Sequence, residues 1–241
     1  MNLILDIGNT LQKIAVFDET DKCLFYQSFQ EITKLTLASI LRTFPVENSI
    51  ISSVADFNAN LVKFLEENTN MVHYSHKTKL PVTILFKTPE TLGLDRIANA
   101  VGAAALHPGK NVLSIQAGTC LVYDFVNEKG EYLGGSISPG MQMRFAALHE
   151  KTKKLPLLKK EESLPHFLGT DSNNSILSGV LNGMCYEIEG FIEDYQMQFK
   201  DLTVLFTGGD ATCLQKFIKN TIFAAPKVVL KGLNEIIKYN V

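Results

Sequence analysis

Two stretches of the chain are near copies of one another, and the repeat limits what it can fold into. Leu3 to Asp18 reads LILDIGNTLQKIAVFD: an apolar run, the polar turn Asp6-Ile7-Gly8-Asn9-Thr10, and a second β-rich run. VLSIQAGTCLVYDF begins at Val112 and places Gly118 where Gly8 stands, Thr119 near Thr10 and Gln116 at the position of Asp6. Each stretch reads as a β-hairpin, and Gly-Asn turns alone are ordinary hairpin chemistry. A turn that offers backbone N–H groups and a hydroxyl, with no Cβ in the way, also lets a phosphate chain approach the backbone. Each copy is followed by further strands and then helices, so the halves share an order of elements as well as a turn. Two such turns facing each other would grip one nucleotide.

A chain of 241 residues could form one large domain or two of roughly 110 to 130 residues. The duplication favours two, 1–109 and 110–241. Apolar residues make up 46% and charged residues 20%, enough for each half to bury a core. The net charge of −2 and the lack of a basic stripe remove the electrostatic basis for binding nucleic acid or a membrane surface. The first apolar run is broken by Asp6, too early for a signal peptide or a spanning helix, so a cytoplasmic location is expected. Cys23, Cys120, Cys185 and Cys213 are widely spaced, without a Cys-x-x-Cys pair, and read as reduced, mostly buried thiols. The five histidines, His73 and His76 among them, read as structural.

In chain order, residues 2–7, 12–18 and 22–29 are expected to form an antiparallel meander. A helix from Ile32 to Thr43, a strand from Ile50 to Val54, a helix from Phe57 to Asn68 and a strand from Met71 to Tyr74 complete the order βββαβαβ. Val82 to Phe86 reads as a strand. Thr88 and Pro89 then read as the N-cap and first position of a helix running to about Leu106, within which Gly102-Ala103-Ala104-Ala105 is small enough for another backbone to pack closely. The second half repeats the plan with strands near 112–116, 120–126 and 131–137 and a helix from about Met141 to His149. A lysine-rich insertion over 151–169 reads as a solvated loop, and Ser172 to Phe199 as a long amphipathic helix. Leu202 to Phe206 is a strand that meets Thr207-Gly208-Gly209-Asp210 and a helix from Ala211, where amides are again presented to an anion. Val228 to Leu230 reads as a strand, followed by a helix from Leu233.

A doubled β-meander-plus-βα plan with a glycine-rich hairpin in each half resembles the actin and hexokinase-like ATPase superfamily. The implied fold class is α/β: duplicated actin-like (ribonuclease H-like) domains, each a mixed sheet flanked by helices, with the nucleotide in the cleft between them. Six motifs narrow the resemblance: Asp6-Ile-Gly-Asn-Thr10 with Lys13; Pro89-Glu-Thr-Leu-Gly-Leu-Asp-Arg96; Gly118-Thr119 with Asp124; Gly134-Gly135-Ser-Ile-Ser-Pro139-Gly140; Thr207-Gly208-Gly209-Asp210; and Leu230-Lys-Gly232-Leu233. In order and spacing they resemble the type III pantothenate kinases nearly end to end.

That resemblance implies transfer of the ATP γ-phosphoryl to the primary hydroxyl of pantothenate, giving 4'-phosphopantothenate, the first step of coenzyme A synthesis. The expected ATP-binding residues are Asp6, Gly8, Asn9, Thr10, Lys13, Gly118, Thr119, Cys120, Gly208 and Gly209. Asp95 is the expected base for the hydroxyl proton; on the residues alone it reads equally as a helix-N-terminal carboxylate favoured by the macrodipole. Phe86, Gly93, Leu94, Asp95, Arg96 and Ser172 are the expected substrate contacts, with a surface ion pair as the other reading of Arg96. Asp6 would organise Mg²⁺ on the phosphates. Asp124 matches a monovalent-cation position, K⁺ or NH₄⁺, with a strand-end hydrogen-bonding group as the rival reading. A homodimer is implied, and Gly179 and Gly183 on the long helix offer a face for it.

The chain departs from the family pattern at three places. Gln116 stands where many relatives have Asp, Val122 where Thr is usual and Phe86 where Tyr is common. The missing carboxylate leaves open a weakened regulatory or nucleotide-binding protein of the same fold. A kinase for another small hydroxylated acceptor is the enzymatic alternative.

Overall fold

The computed structural model describes residues 1–8, 11–53, 58–159 and 163–241. By contacts the chain falls into two units: Met1–Pro108 with Gly130–Tyr132 and Lys227–Val241, and Gly109–Lys129 with Leu133–Pro226. A linear division at 109/110 would leave the last helix in the second half, whereas its contacts group it with the first unit.

In the first unit β1 (Asn2–Ile7), β2 (Gln12–Phe17) and β3 (Cys23–Phe29) form the antiparallel meander. After α1 (Lys34–Thr43), β4 (Asn48–Ser53) lies parallel to β1. After α2 (Ala59–Asn68), β5 (Asn70–Val72) lies parallel to β4. The sheet order is β3-β2-β1-β4-β5. β1 is buried along its whole length because both faces are covered. Leu3, Leu5 and Ile7 join Leu37, Ile40, Leu61 and Leu65 of α1 and α2. Ile4, with Ala15 and Ile50, packs on the other face against Ala98 and Val101 of α3 (Leu94–Leu106) and Leu230, Leu233 and Ile237 of α7 (Val228–Asn240). Because side chains alternate across a strand, Asp6 shares Ile4's face, the one that α3 covers.

The second unit repeats this plan. β7 (Val112–Ala117) and β8 (Cys120–Val126) form an antiparallel hairpin, and β9 (Glu131–Pro139) follows. α4 (Met141–Glu150) and α5 (Ser172–Gln198) precede β10 (Thr203–Thr207), which runs parallel to β7. The four-residue α6 (Ala211–Leu214) and β11 (Phe223–Ala224) follow, giving the order β9-β8-β7-β10-β11. Each copied hairpin therefore supplies the two central strands of its sheet, with a parallel strand added on the same side. Leu113, Ile115, Tyr123 and Phe125 pack against Ile176, Val180, Met184, Ile188 and Ile192, the buried stripe of α5. The duplicated α/β fold of actin-like domains is thus present in both units.

Several elements differ from the sequence expectation. The strand at 82–86 shrinks to β6 (Thr83–Ile84), which pairs parallel with Glu131 and Tyr132. The helix expected from Pro89 is broken. Proline starts only a 3₁₀ turn, Pro89–Thr91; Leu92 and Gly93 are extended, and α3 begins at Leu94 with Gly93 as its N-cap. Val228 to Leu230 is not a strand but the first turn of α7. The cause is the crossing of α3 and α7, where a Cβ on Gly102 would lie 2.0 Å from the Val228 carbonyl oxygen and one on Gly232 would lie 1.8 Å from that of Ala98. Only glycine at both places lets the two backbones touch, as the small-residue run at 102–105 suggests. In the 151–169 insertion the described lysines are exposed, yet Leu155, Leu158 and Leu164 pack on the second core. The four cysteines, all among the described residues, form no disulfide, but only Cys185 is buried, the others being half-buried. Val54, Phe57, Asn9 and Thr10 lie outside the described residues, and so do any roles expected of them.

Candidate active site

In the first unit the turn after β1 is closed by Gly8, whose amide donates to the Leu11 carbonyl at 3.2 Å. A Cβ on Gly8 would sit 3.2 Å from that same oxygen, a tight fit for any side chain there. Asp6 and Lys13 are cross-strand partners, and Lys13 Nζ lies 3.0 Å from Asp6 Oδ2. Asp6 is nearly buried, at 7% exposure, while Lys13 reaches solvent. The pair places one negative and one positive group at the hairpin mouth, the combination that a metal–phosphate chain uses.

Asp95 occupies the first turn of α3, where a negative side chain is favoured by the helix dipole. Its carboxylate folds back toward the N-cap, so that a Cβ on Gly93 would come within 2.5 Å of Asp95 Oδ1. A side chain at 93 would displace the carboxylate from this position. Two residues that the sequence reading set aside hold this turn. The Tyr74 hydroxyl donates to the Leu94 carbonyl at 2.8 Å, and His76 Nε2 donates to the Leu92 carbonyl at 2.8 Å. Burial, and after it the charge of Asp95, push the Tyr74 phenol well above its ordinary range. Arg96 is half-buried beside Asp95, and Phe86 meets Tyr132 at 6.2 Å between ring centres. Since Asp6 lies on the sheet face covered by α3, the first unit brings Asp6 and Asp95 to one side of one sheet.

In the second unit β7 and β10 are parallel and end together, Gln116 opposite Thr207. Gly208 therefore meets Ala117. Gly208 has φ of +101°, and a Cβ on it would be 2.1 Å from the Ala117 carbonyl oxygen. Gly140 closes on the hairpin tip from another direction: its amide donates to the Thr119 carbonyl at 3.2 Å, and a Cβ on it would lie 2.1 Å from the Gly118 oxygen. The end of the hairpin from Ala117 to Thr119 is thus wedged between two glycine turns. Gln142, Leu157, Leu158, Lys159 and Asp210 line a cavity of about 480 Å³ beside the Gly208–Gly209 turn, so part of the lysine-rich insertion borders this site.

Asp124 is at 1% exposure, opposite Ser114 in mid-hairpin, and Gln116 is opposite Val122. Gln116, Ser114 and Asp124 consequently share one face of the hairpin, with Asp124 deeper than the mouth. Ser172 opens α5 after the N-cap Asp171 and, with Ser175, Ile176, Gly179, Leu148 and Leu155, lines a second cavity of about 420 Å³. Among the described residues no three acidic, histidine or cysteine side chains form a metal cage. No described helix is long and apolar enough to cross a membrane.

The family model for type III pantothenate kinase matches residues 2–194. The chain belongs to the type III pantothenate kinase family. A type III pantothenate kinase of Cytophaga hutchinsonii is 44% identical over 245 residues, covering all of both chains. One from Phocaeicola vulgatus is 42% identical over 241 residues, covering all of this chain and 99% of the relative. Among solved structures, a Sinorhizobium meliloti protein classed as a 2-dehydro-3-deoxygalactonokinase aligns with a TM-score of 0.58 at 14% identity, over 99% of this chain and 96% of that one. Its likeness is one of fold. Tyr74 and His76, which hold the Asp95 turn, lie outside all six motifs.

Proposed function

We propose that the protein is an ATP-dependent pantothenate kinase, transferring the γ-phosphoryl to the primary hydroxyl of pantothenate to give 4'-phosphopantothenate for coenzyme A synthesis. The observation that supports this reading most is full-length membership of the family together with Asp95 at the start of α3, beside Gly93 and Arg96.

In this reading Asp95 accepts the proton of the attacking hydroxyl as the oxygen bonds to the γ-phosphorus and the bond to the ADP oxygen breaks. Loose phosphoryl transfer asks little covalent work of a protein, so positioning and charge carry most of the acceleration. Arg96 pairs with the pantothenate carboxylate. Phe86, Gly93, Leu94 and Ser172 shape the remaining substrate contacts, with a serine hydroxyl at 172 standing in for the family's usual threonine. The residues expected to bind ATP, Gly8, Asn9, Thr10, Gly118, Thr119, Cys120, Gly208 and Gly209, take the phosphates in this reading, and Lys13 offsets their charge.

A divalent metal fits the first hairpin, because Mg²⁺ takes one or two carboxylates and completes its shell with water and phosphate, and Asp6 supplies a carboxylate at the mouth. When bound it would neutralise charge on the phosphates. A monovalent cation, K⁺ or NH₄⁺, is assigned to the face of the second hairpin that carries Asp124. The protein is proposed to act as a homodimer through α5, whose Gly179, Gly183 and Gly190 have nothing within 4 Å of a built Cβ, and to work in the cytoplasm. A coupled assay with ATP, Mg²⁺ and pantothenate, run beside a panel of hydroxylated acceptors, tests the substrate assignment.

A further inference from the structure

The second unit holds a charged cluster that no step above uses. Glu187, half-way along α5, accepts hydrogen bonds at Oε1 from Ser138 Oγ at 2.5 Å and from the Tyr123 hydroxyl at 3.2 Å. Its other oxygen pairs with the Arg144 guanidinium. Arg144 also donates from Nε to the Pro139 carbonyl at 2.8 Å and from its other nitrogen to Ser138 Oγ at 3.2 Å. The side chains of Arg144 and Glu187 are only 20% and 22% exposed, so the ion pair lies in a partly dehydrated site where charged hydrogen bonds are strong. Burial, and after it the Glu187 charge, push the Tyr123 phenol up and keep it a donor.

The next residue after Pro139 is Gly140, which grips the tip of the second hairpin. The chain of contacts runs from Glu187 to Arg144, to the Pro139 carbonyl, to Gly140, and from its amide to the Thr119 carbonyl. Every link is a hydrogen bond or a peptide bond.

We infer that Glu187 and Arg144 are positioning residues for the phosphate turn Gly118-Thr119-Cys120, holding Gly140 against it so that its amides are set before ATP arrives. The inference rests on the reading of that turn as an ATP site. It makes a distinct prediction from a purely structural role. Loosening the turn removes binding that ground state and transition state share, which raises KM for ATP and spares kcat.

The test uses the full chain with Glu187→Gln, Arg144→Met and the double variant, scored for KM and kcat with each substrate and, separately, for binding of a non-hydrolysable ATP analogue. Each single variant is expected to raise the KM for ATP and weaken analogue binding at least about fivefold, the low end of usual coupling between sites. The KM for pantothenate should hold. The double variant should add little to either single one, because both break the same chain. Arg144→Lys, which keeps the charge but cannot serve both Glu187 and Pro139, should recover only part. Unchanged analogue binding in folded variants, or fully additive losses, would overturn the inference. If the variants fail to fold, Tyr123→Phe and Ser138→Ala, which each remove one donor to Glu187, decide it by the same readout. Analogue binding without pantothenate turnover in the parent would overturn the substrate reading and leave this one standing.

Discussion

The Tyr74 hydroxyl and the Leu94 carbonyl, 2.8 Å apart, tie the segment after β5 to the first residue of α3. The bond fixes the turn that aims Asp95. Tyr74→Phe keeps the ring and removes the donor, so it should cost about 1 kcal/mol of stability and lower kcat several-fold while ATP binding holds. Urea unfolding beside steady-state kinetics checks both halves.

Alkaline stability follows from the same residue and from Tyr123. Both phenols titrate above their ordinary value of 10.0 in the folded chain, mainly through burial. Their contribution is therefore complete below the unfolded value and is lost as pH rises beyond it toward the folded one. Stability should fall above about pH 10, each phenol adding a slope approaching 1.4 kcal/mol per pH unit. Urea midpoints from pH 8 to 11 for the parent and Tyr74→Phe read it, and the variant should show the shallower decline.

At the α3–α7 crossing, Gly→Ala inside an open helix would stabilise by about 1 kcal/mol. Gly102→Ala and Gly232→Ala should instead cost about 1–3 kcal/mol or more, because each Cβ lands on a backbone carbonyl. A raised urea midpoint in either variant would refute the close crossing.

The first hairpin predicts a metal phenotype. Asp6→Asn removes the carboxylate beside Lys13 and should shift the Mg²⁺ requirement upward and cut activity. A Mg²⁺ titration that superimposes on the parent's would remove Asp6 from that role.

On the second hairpin Gln116 and Asp124 share a face, so a carboxylate introduced at 116 would act on the same ion. At about 4 Å and an effective dielectric near 20 the added attraction is of order 4 kcal/mol before desolvation is subtracted, and the net gain should be far smaller. Gln116→Asp should lower the K⁺ concentration for half-maximal activity and Asp124→Asn should raise it. Three coincident K⁺ curves would show that the ion binds elsewhere.

What could be read in the sequence was whatever repeats or has a period. The copied hairpin at Leu3 and Val112 announced two central β-pairs, and the amphipathic stretch from Ser172 to Phe199 announced α5. The small-residue run at 102–105 foretold a close crossing, although its partner, the Val228–Leu230 turn of α7, looked like a strand because a short apolar run has no period of its own. Pro89 signalled a helix start but could not reveal the extended Leu92–Gly93 step, which depends on distant donors, Tyr74 and His76. Arg144 and Glu187 are 43 residues apart and belong to no motif, so only the fold could join them. Glycines and carboxylates with a chemical job sit in local patterns; the groups that brace them do not.

The central claim is phosphoryl transfer to pantothenate with Asp95 as base, and one measurement addresses it: product formation from ATP, Mg²⁺ and pantothenate by the parent and by Asp95→Asn. The parent should yield 4'-phosphopantothenate with one ADP per product, and the variant should turn over roughly 10²- to 10⁴-fold more slowly with ATP binding largely kept. Absence of product from pantothenate alongside phosphorylation of another acceptor, or a variant as fast as the parent, would contradict the account.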